Sequence, residues 1–473
     1  MDQNVRTKLR SVVTKCRKLL EESIGEQLQG KFGIHTNGKV EDLSNLKHLG
    51  EEDIQYRQDI LDHFEHIKAL DYKAKNALAQ LVREIAFTHL NRFCAYKMMA
   101  ARDVIIDGKK FRDPIGKGNR VGPKSNAFQF YLVDHPDDEK LVNSGKQDRA
   151  YRHFLNWVGA QLSEEIGVLF NPNDPANRLY PPQLVLDDIF NLLNHADIKE
   201  DETALREAWK EIWSEDETIG WVYQYFTPKE LRDRARRESR APRNSYELAF
   251  RNQFYTPRYI VEFLSDNSLG RIWYEMRKGE TRLAKDCQYM VRRPNEIFLS
   301  DGENEPSQQN GSGKNIDPTR EGLLSREIYI PHRTKKDPRE IRILDPASGS
   351  GHFLLYCFDL LLTIYEEAYD DIHLGPKLKA DYPEKPVYMS AVPCLILAHN
   401  LFGIDIDLRA SQIAAFALWL RSQRQFNKLN IKKPPTIEKT NLVVAAPMPG
   451  ADCLLYTSPS PRDRTRSRMP SSA

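Results

Sequence analysis

The sequence predicts an α/β fold: one half of a doubly wound parallel sheet, preceded by a mostly helical N-terminal region. Three observations predict it. A strand-like run, Ile341-Arg342-Ile343-Leu344, leads into a carboxylate and small residues, Asp345-Pro346-Ala347-Ser348-Gly349-Ser350-Gly351, and then a helical pattern, Phe353-Leu354-Leu355-Tyr356. A second apolar run, Leu401-Phe402-Gly403-Ile404, also ends on a carboxylate, Asp405, and Ile406-Asp407 leads into another helical stripe. Residues 1–100, finally, repeat their apolar side chains at helical spacing.

Each element follows from its own pattern. Val12-Val13, Leu19-Leu20 and Ile24 form the first stripe, and Thr36-Asn37-Gly38 reads as a turn. Leu78, Leu81, Val82, Ile85 and Ala86 form the next, continued by Phe87-Thr88-His89-Leu90-Asn91-Arg92-Phe93 to Met98-Met99, an amphipathic helix expected to bury one face. Residues 102–145 read as short strands and turns, with strands expected at 104–108 and at Phe128-Gln129-Phe130-Tyr131-Leu132-Val133. Residues 150–226 return to helix and end in Ile219-Gly220-Trp221-Val222-Tyr223-Gln224-Tyr225-Phe226, whose crowded aromatics predict packing. Residues 229–243 carry six arginines against three acids, so a phosphate contact and a solvated connector helix both stay open. Residues 300–320 read as a polar, turn-rich loop.

Composition narrows the class. With 473 residues, the chain can bury two domain-sized cores. Its net charge of +2 neither requires nor excludes nucleic acid, because a local basic face suffices. No apolar run is long enough to cross a bilayer, and six cysteines without a Cys-x-x-Cys pair argue for the cytoplasm and against a zinc site or disulfide framework. Residues 453–473 read as a translated sequencing adapter rather than as protein; a Ser/Arg/Pro-rich disordered tail is the alternative. The tail's four arginines and one aspartate supply three positive charges, so without it the net charge is −1.

The chemistry lies in three strings. Asn252-Gln253-Phe254-Tyr255-Thr256-Pro257 reads as a helix start, with Thr256 expected at the N-cap and Pro257 at the first helical position; Ile260, Val261, Phe263 and Leu264 would form the buried stripe, and Leu269-Gly270 the end. Asp345 to Gly351 is a turn in which glycines let backbone approach a ligand and a helix start offers free N–H groups. Asp405 ends a strand where a carboxylate can take ribose hydroxyls, and Asp407 suits the N-cap of the helix containing Ile413, Ala414, Ala417 and Leu418. A nicotinamide site is the rival for the second string, but Leu354 stands where its third glycine belongs.

In that order the three strings resemble motifs X, I and II of the adenine-N6 DNA methyltransferases, in particular the large enzymes of restriction-modification and phage-defence (BREX-like) systems. The resemblance implies a Rossmann-like sheet that binds S-adenosyl-L-methionine. It implies that Thr256 and Pro257 hold the amino-acid end of the cofactor while Phe254 and Tyr255 wall the pocket. It implies that Asp345 takes the ammonium group, that Pro346, Ala347, Gly349 and Gly351 leave room for the methionine moiety, and that Asp405 and Ile406 take the ribose and adenine. Ser348 stands where the family most often has Cys. The stretch from Gly351 to Asp405 is longer than a minimal unit needs, and Ala446-Pro447 stands where many relatives have an acid.

The implied organisation is a helical region at 1–243, the N-terminal half of the methyltransferase domain at 244–452, and the artefactual tail at 453–473. An Asn/Asp/Ser-Pro-Pro-Tyr/Phe catalytic motif occurs nowhere in the chain, so no catalytic residue is assigned and the chain is expected to be an inactive fragment. The complete enzyme would act on duplex DNA with an adenine flipped out of the helix, with restriction or defence subunits as further partners and no membrane. The alternatives are a non-catalytic binding module of the same fold and a methyltransferase of RNA or protein.

Overall fold

The structure, a computed structural model, describes residues 2–445 except 70–72, 107–108, 118–119, 165, 195–196, 200, 243–244, 252–255, 306–326, 432 and 438–439. The chain divides into two compact units, one formed by residues 1–254, 405–416 and 443–473 and the other by residues 255–404 and 417–442.

The first unit is built on helices α1 (Gln3–Gly30), α2 (Glu51–Ala69), α3 (Ala74–Ala101), α4 (Asn126–Asp134), α5 (Pro136–Asn143), α6 (Gln147–Ser163), α7 (Gly167–Phe170), α8 (Gln183–Leu193), α9 (Thr203–Glu211), α10 (Thr218–Phe226), α11 (Lys229–Glu238) and α12 (Ser245–Arg251). Two short antiparallel ribbons interrupt them, β1 (Ile105–Ile106) with β2 (Lys109–Lys110) and β3 (Gly116–Lys117) with β4 (Arg120–Val121). Helix α3 is the axis of this unit and packs on α1, α2 and α10. The one-face expectation fails here, because every residue from Ile85 to Met99 is buried. A helix surrounded on all sides must satisfy its polar groups internally. Accordingly Lys97 Nζ reaches Asp113 Oδ2 at 2.9 Å and Asn194 Oδ1 at 2.7 Å, and Arg92 donates to Leu169 O and Asn177 Oδ1.

The strand expected at 128–133 is helix α4. Its Ser125 cap accepts the Phe128 N–H at 3.3 Å, and this local cap outweighs the strand preference of the aromatic run.

The second unit opens with α13 (Arg258–Ser265), a π-turn (Asp266–Gly270) and α14 (Arg271–Met276), one continuous helical rod; α15 (Leu283–Asp286) follows. Strands β5 (Glu296–Phe298) and β6 (Ile328–Ile330) pair in parallel. Then come β7 (Ile343–Asp345), α16 (His352–Asp370), α17 (Gly375–Asp381), α18 (Lys385–His399) and β8 (Leu401–Asp405), and finally α19 (Leu408–Lys428) and β9 (Asn441–Val444). The last three strands form one sheet in the order β7-β8-β9. Strands β7 and β8 are parallel, with Ile343 opposite Leu401 and Asp345 opposite Gly403. Strand β9 runs the same way as β8: the Asn441 side chain donates to Leu401 O and the Ala445 N–H donates to Asp405 O.

Buried Asn400 sets the entry to β7. Its Nδ2 donates to Pro338 O and Ile341 O, its carbonyl accepts the Ile343 N–H, and its Oδ1 accepts the Tyr365 hydroxyl. Among the described residues no helix is long and apolar enough to cross a membrane.

Candidate functional site

Strand β7 ends on Asp345, whose Oδ1 accepts the Ala347 N–H at 3.2 Å and so bends the chain directly after the strand. Ser348 is buried beneath the bend, where its N–H donates to Ile404 O at 3.0 Å and its carbonyl accepts the Gly351 N–H at 2.8 Å. Gly349 at φ +52° and Gly351 at φ +83° take left-handed backbone, and Gly351 is the N-cap of α16. A Cβ built on Gly349 would meet nothing within 4 Å, so this stretch of backbone borders open space. Pro346 and Ala347 are exposed beside it, and Asp345 is half-buried.

Gly403 shows the reverse. A Cβ there would come within 2.5 Å of Leu442 Cδ2, 3.0 Å of Leu354 Cδ1 and 3.2 Å of Ser348 Cβ. The missing side chain lets the turn and the start of α16 lie directly on β8.

The first string is joined to the second through helix packing. Tyr356 on α16 donates its hydroxyl to Asp266 Oδ1 at 2.7 Å, and Asp266 Oδ2 accepts the Tyr289 N–H at 2.9 Å. Burial first, and the bond to Asp266 second, push the Tyr356 phenol well above its usual range. In the sequence neither residue has a role beyond Tyr356's place in a helical pattern.

Several expectations for this string need correction. Pro257, not Thr256, is the N-cap of α13, and no side chain caps it: the Pro257 carbonyl accepts the Ile260 N–H while Thr256 lies one residue upstream, half-buried. Val261 is buried, but Phe263 and Leu264 are exposed, with Ile260 between the two. Gly270 does not end the helix, because the π-turn carries it on to Met276 and the glycine instead makes room for Cys287 and Met290. Phe254 and Tyr255 lie outside the described residues.

Asp405 and Ile406 belong to the first unit. Asp405 is half-buried and its Oδ1 accepts the Asp407 N–H at 2.8 Å; Ile406 is exposed. Asp407 heads α19 as expected, its Oδ1 accepting the Arg409 N–H at 3.0 Å and its carbonyl the Ser411 N–H.

The sequence did not reveal how Asp407 is held. Arg409 grips both of its oxygens, Nε to Oδ1 at 2.9 Å and Nη2 to Oδ2 at 2.7 Å, and Tyr223 donates to Oδ2 at 2.9 Å. Burial alone would raise the Asp407 carboxyl; the Arg409 charge and these bonds outweigh it and hold the group below its usual range. The Arg409 guanidinium lies 5.8 Å from the Phe87 ring centre and 5.9 Å from that of Tyr223. The only signal for this cluster was the 219–226 aromatic string, read above as packing.

Residues 332–443 match the family model described as MmeI, DNA-methyltransferase domain. The chain is 27% identical over 446 residues to adenine-specific methyltransferase PglX of Lacticaseibacillus casei (strain Zhang), covering 88% of this chain and 32% of that protein. It is also 27% identical over 364 residues to adenine-specific methyltransferase BrxX of Escherichia coli O9:H4 (strain HS), covering 74% of this chain and 25% of that protein. The chain therefore spans a third or less of the length of these curated relatives. Its similarity to adenine-specific methyltransferases extends over most of its own length, and the match to a DNA-methyltransferase domain lies on the segment that holds the Asp345–Gly351 turn and Asp405.

Proposed function

We propose that the chain is the cofactor-binding part of a site-specific adenine-N6 DNA methyltransferase of a restriction-modification or phage-defence system. The observation that carries this is the Asp345–Gly351 turn, where two glycines take left-handed backbone between a strand-end carboxylate and a helix start, and Gly349 borders open space. The residue types fit S-adenosyl-L-methionine. A carboxylate suits the ammonium group, Asp405 suits the ribose hydroxyls, and exposed Ile406 offers an apolar face to the adenine ring. Thr256 and Pro257, at the head of α13, are assigned to the amino-acid end, and the family resemblance assigns Phe254 and Tyr255 to the pocket wall. When bound, the cofactor supplies an electrophilic methyl group.

The chain's own residues orient rather than react. Asp345 is fixed by its bond to the Ala347 N–H, and Asp405 by its bond to the Asp407 N–H, so each carboxylate is aimed before a ligand arrives. The acceptors that would draw hydrogens from the exocyclic amine of a flipped adenine belong to the Asn-Pro-Pro-Tyr type of motif, which does not occur in these 473 residues. The alternative reading is a module of the same fold that binds the cofactor without transferring the methyl.

Calorimetric titration with S-adenosylmethionine tests the site. Binding should be lost in Asp345→Ala and weakened in Asp405→Ala, and equal binding by both variants and the parent would refute the assignment.

A further inference from the structure

A cavity of about 150 Å³ lies in the first unit, between α3, α6 and residues 170–180. It has room for several waters, each of which needs about 10–15 Å³. Two of its lining residues are arginines, Arg92 and Arg178, and none is acidic. Its lining residues Asn156, Ala160 and Pro172 are exposed, so the cavity opens to solvent.

Arg92, only 3% exposed, is held in place by two bonds. Its Nε donates to Leu169 O at 2.8 Å and its Nη1 to Asn177 Oδ1 at 2.7 Å. The remaining nitrogen, Nη2, is buried and makes no hydrogen bond among the described residues. Asp174 Oδ2 stops 4.0 Å from it, beyond hydrogen-bond reach, while Asp174 Oδ1 accepts the Ala176 N–H. Burial raises the phenol of Tyr180, another lining residue, and the Arg92 charge opposes the rise, so a hydroxyl stands close to the same guanidinium. The Arg178 guanidinium lies 4.1 Å from the Tyr56 ring centre. It has no carboxylate within ion-pair distance among the described residues; Glu52 accepts the Tyr56 hydroxyl instead.

A buried cation whose counter-ion is out of bonding reach is costly, and an anion that meets its free N–H edge offsets that cost. Guanidinium N–H groups match the oxygens of a phosphate, and water supplies no charge. Two guanidiniums from separate segments suit a tetrahedral group, whose oxygens point in several directions, better than a flat carboxylate. We propose that this cavity binds a phosphate group, anchored by Arg92 Nη2 and the Arg178 guanidinium. The cavity takes the phosphate itself, and its open side leaves space for a substituent esterified to it. The proposal does not depend on the methyltransferase reading.

The test is calorimetric titration of the full chain with inorganic phosphate and with ribose 5-phosphate, and with acetate and chloride at matched ionic strength. Saturable binding of phosphate is expected, and the tighter of the first two ligands shows whether the free or the esterified group is preferred. Removing a charged hydrogen-bond donor in Arg178→Gln should weaken binding about tenfold or more. Ala160→Trp puts a ring into the open side and should abolish binding. Both positions lie outside the bonds that hold Arg92, so both variants should keep the parent's urea midpoint. Lys140→Ala is the control, an exposed cation paired with Asp137, and should bind as the parent does. No saturable binding, which would mean a cavity filled by water only, overturns the proposal. So do unaltered binding in either cavity variant, an equal loss in Lys140→Ala, and equal affinity for acetate.

Discussion

The hydroxyl of Tyr223 donates to Oδ2 of Asp407 at 2.9 Å, across 184 positions of sequence. Asp407 in turn presents its N–H to Asp405, so an aromatic residue of the helical region stands two hydrogen bonds from a carboxylate assigned to the ribose. Tyr223→Phe removes a bond to a buried charged group and should destabilise the fold by about 1.5–3 kcal/mol. Arg409→Met leaves Asp407 buried beside no cation and should cost about 3–5 kcal/mol. Urea denaturation of the two variants checks the order.

Gly403 should not tolerate even a methyl group. Gly403→Ala drives a carbon toward Leu442, Leu354 and Ser348, and we expect a loss of about 1–3 kcal/mol, read as a lower urea midpoint at unchanged m-value.

His89 supplies a pH dependence. It is fully buried, donates from Nε2 to Leu179 O at 3.1 Å, and is held down to about 3 by burial first and by Arg92 second. In the unfolded chain the same group titrates near 6.5. Between those values the unfolded state takes up the proton and the folded state does not. The contribution is therefore fully present above about pH 6.5 and is lost as pH falls toward 3, by at most about 1.4 kcal/mol per unit. Denaturation at a series of pH values should show this slope in the parent and a shallower one in His89→Gln; parallel slopes would exclude it.

The chain as given should transfer no methyl group to DNA, because the hydrogen-bond acceptors for the adenine amine are not in its sequence. Incubation with labelled cofactor and duplex DNA checks this, and incorporation above background would mean that other residues supply those acceptors.

Much of this was legible because it is local. The β7 strand, the glycine turn and the start of α16 follow from a few consecutive residues, and the Asp345–Gly351 string and the Asp407 cap fall where spacing put them. The errors have physical causes. At 128–133, aromatic content argued for a strand while Ser125 capped a helix. At Thr256-Pro257, the proline itself took the cap position. At Gly270, a π-turn continued a helix through a residue that usually stops one. The partners Tyr223, Arg409, Asp266 and Tyr356 were invisible for another reason: each matters through a residue far away in sequence or through a side chain whose role only packing assigns.

Helix α3 also constrains how this protein can diverge. Lys97 is buried against Asp113, Asn194 and the Gly116 carbonyl, and Arg92 against Asn177 and the Leu169 carbonyl. Neither cation can drift alone, since losing one side of such a pair strands the other away from water. Change along this helix should be inherited in couples: a lineage that trades Lys97 for an apolar side chain should also have traded Asp113, and covariation of those two columns would record it.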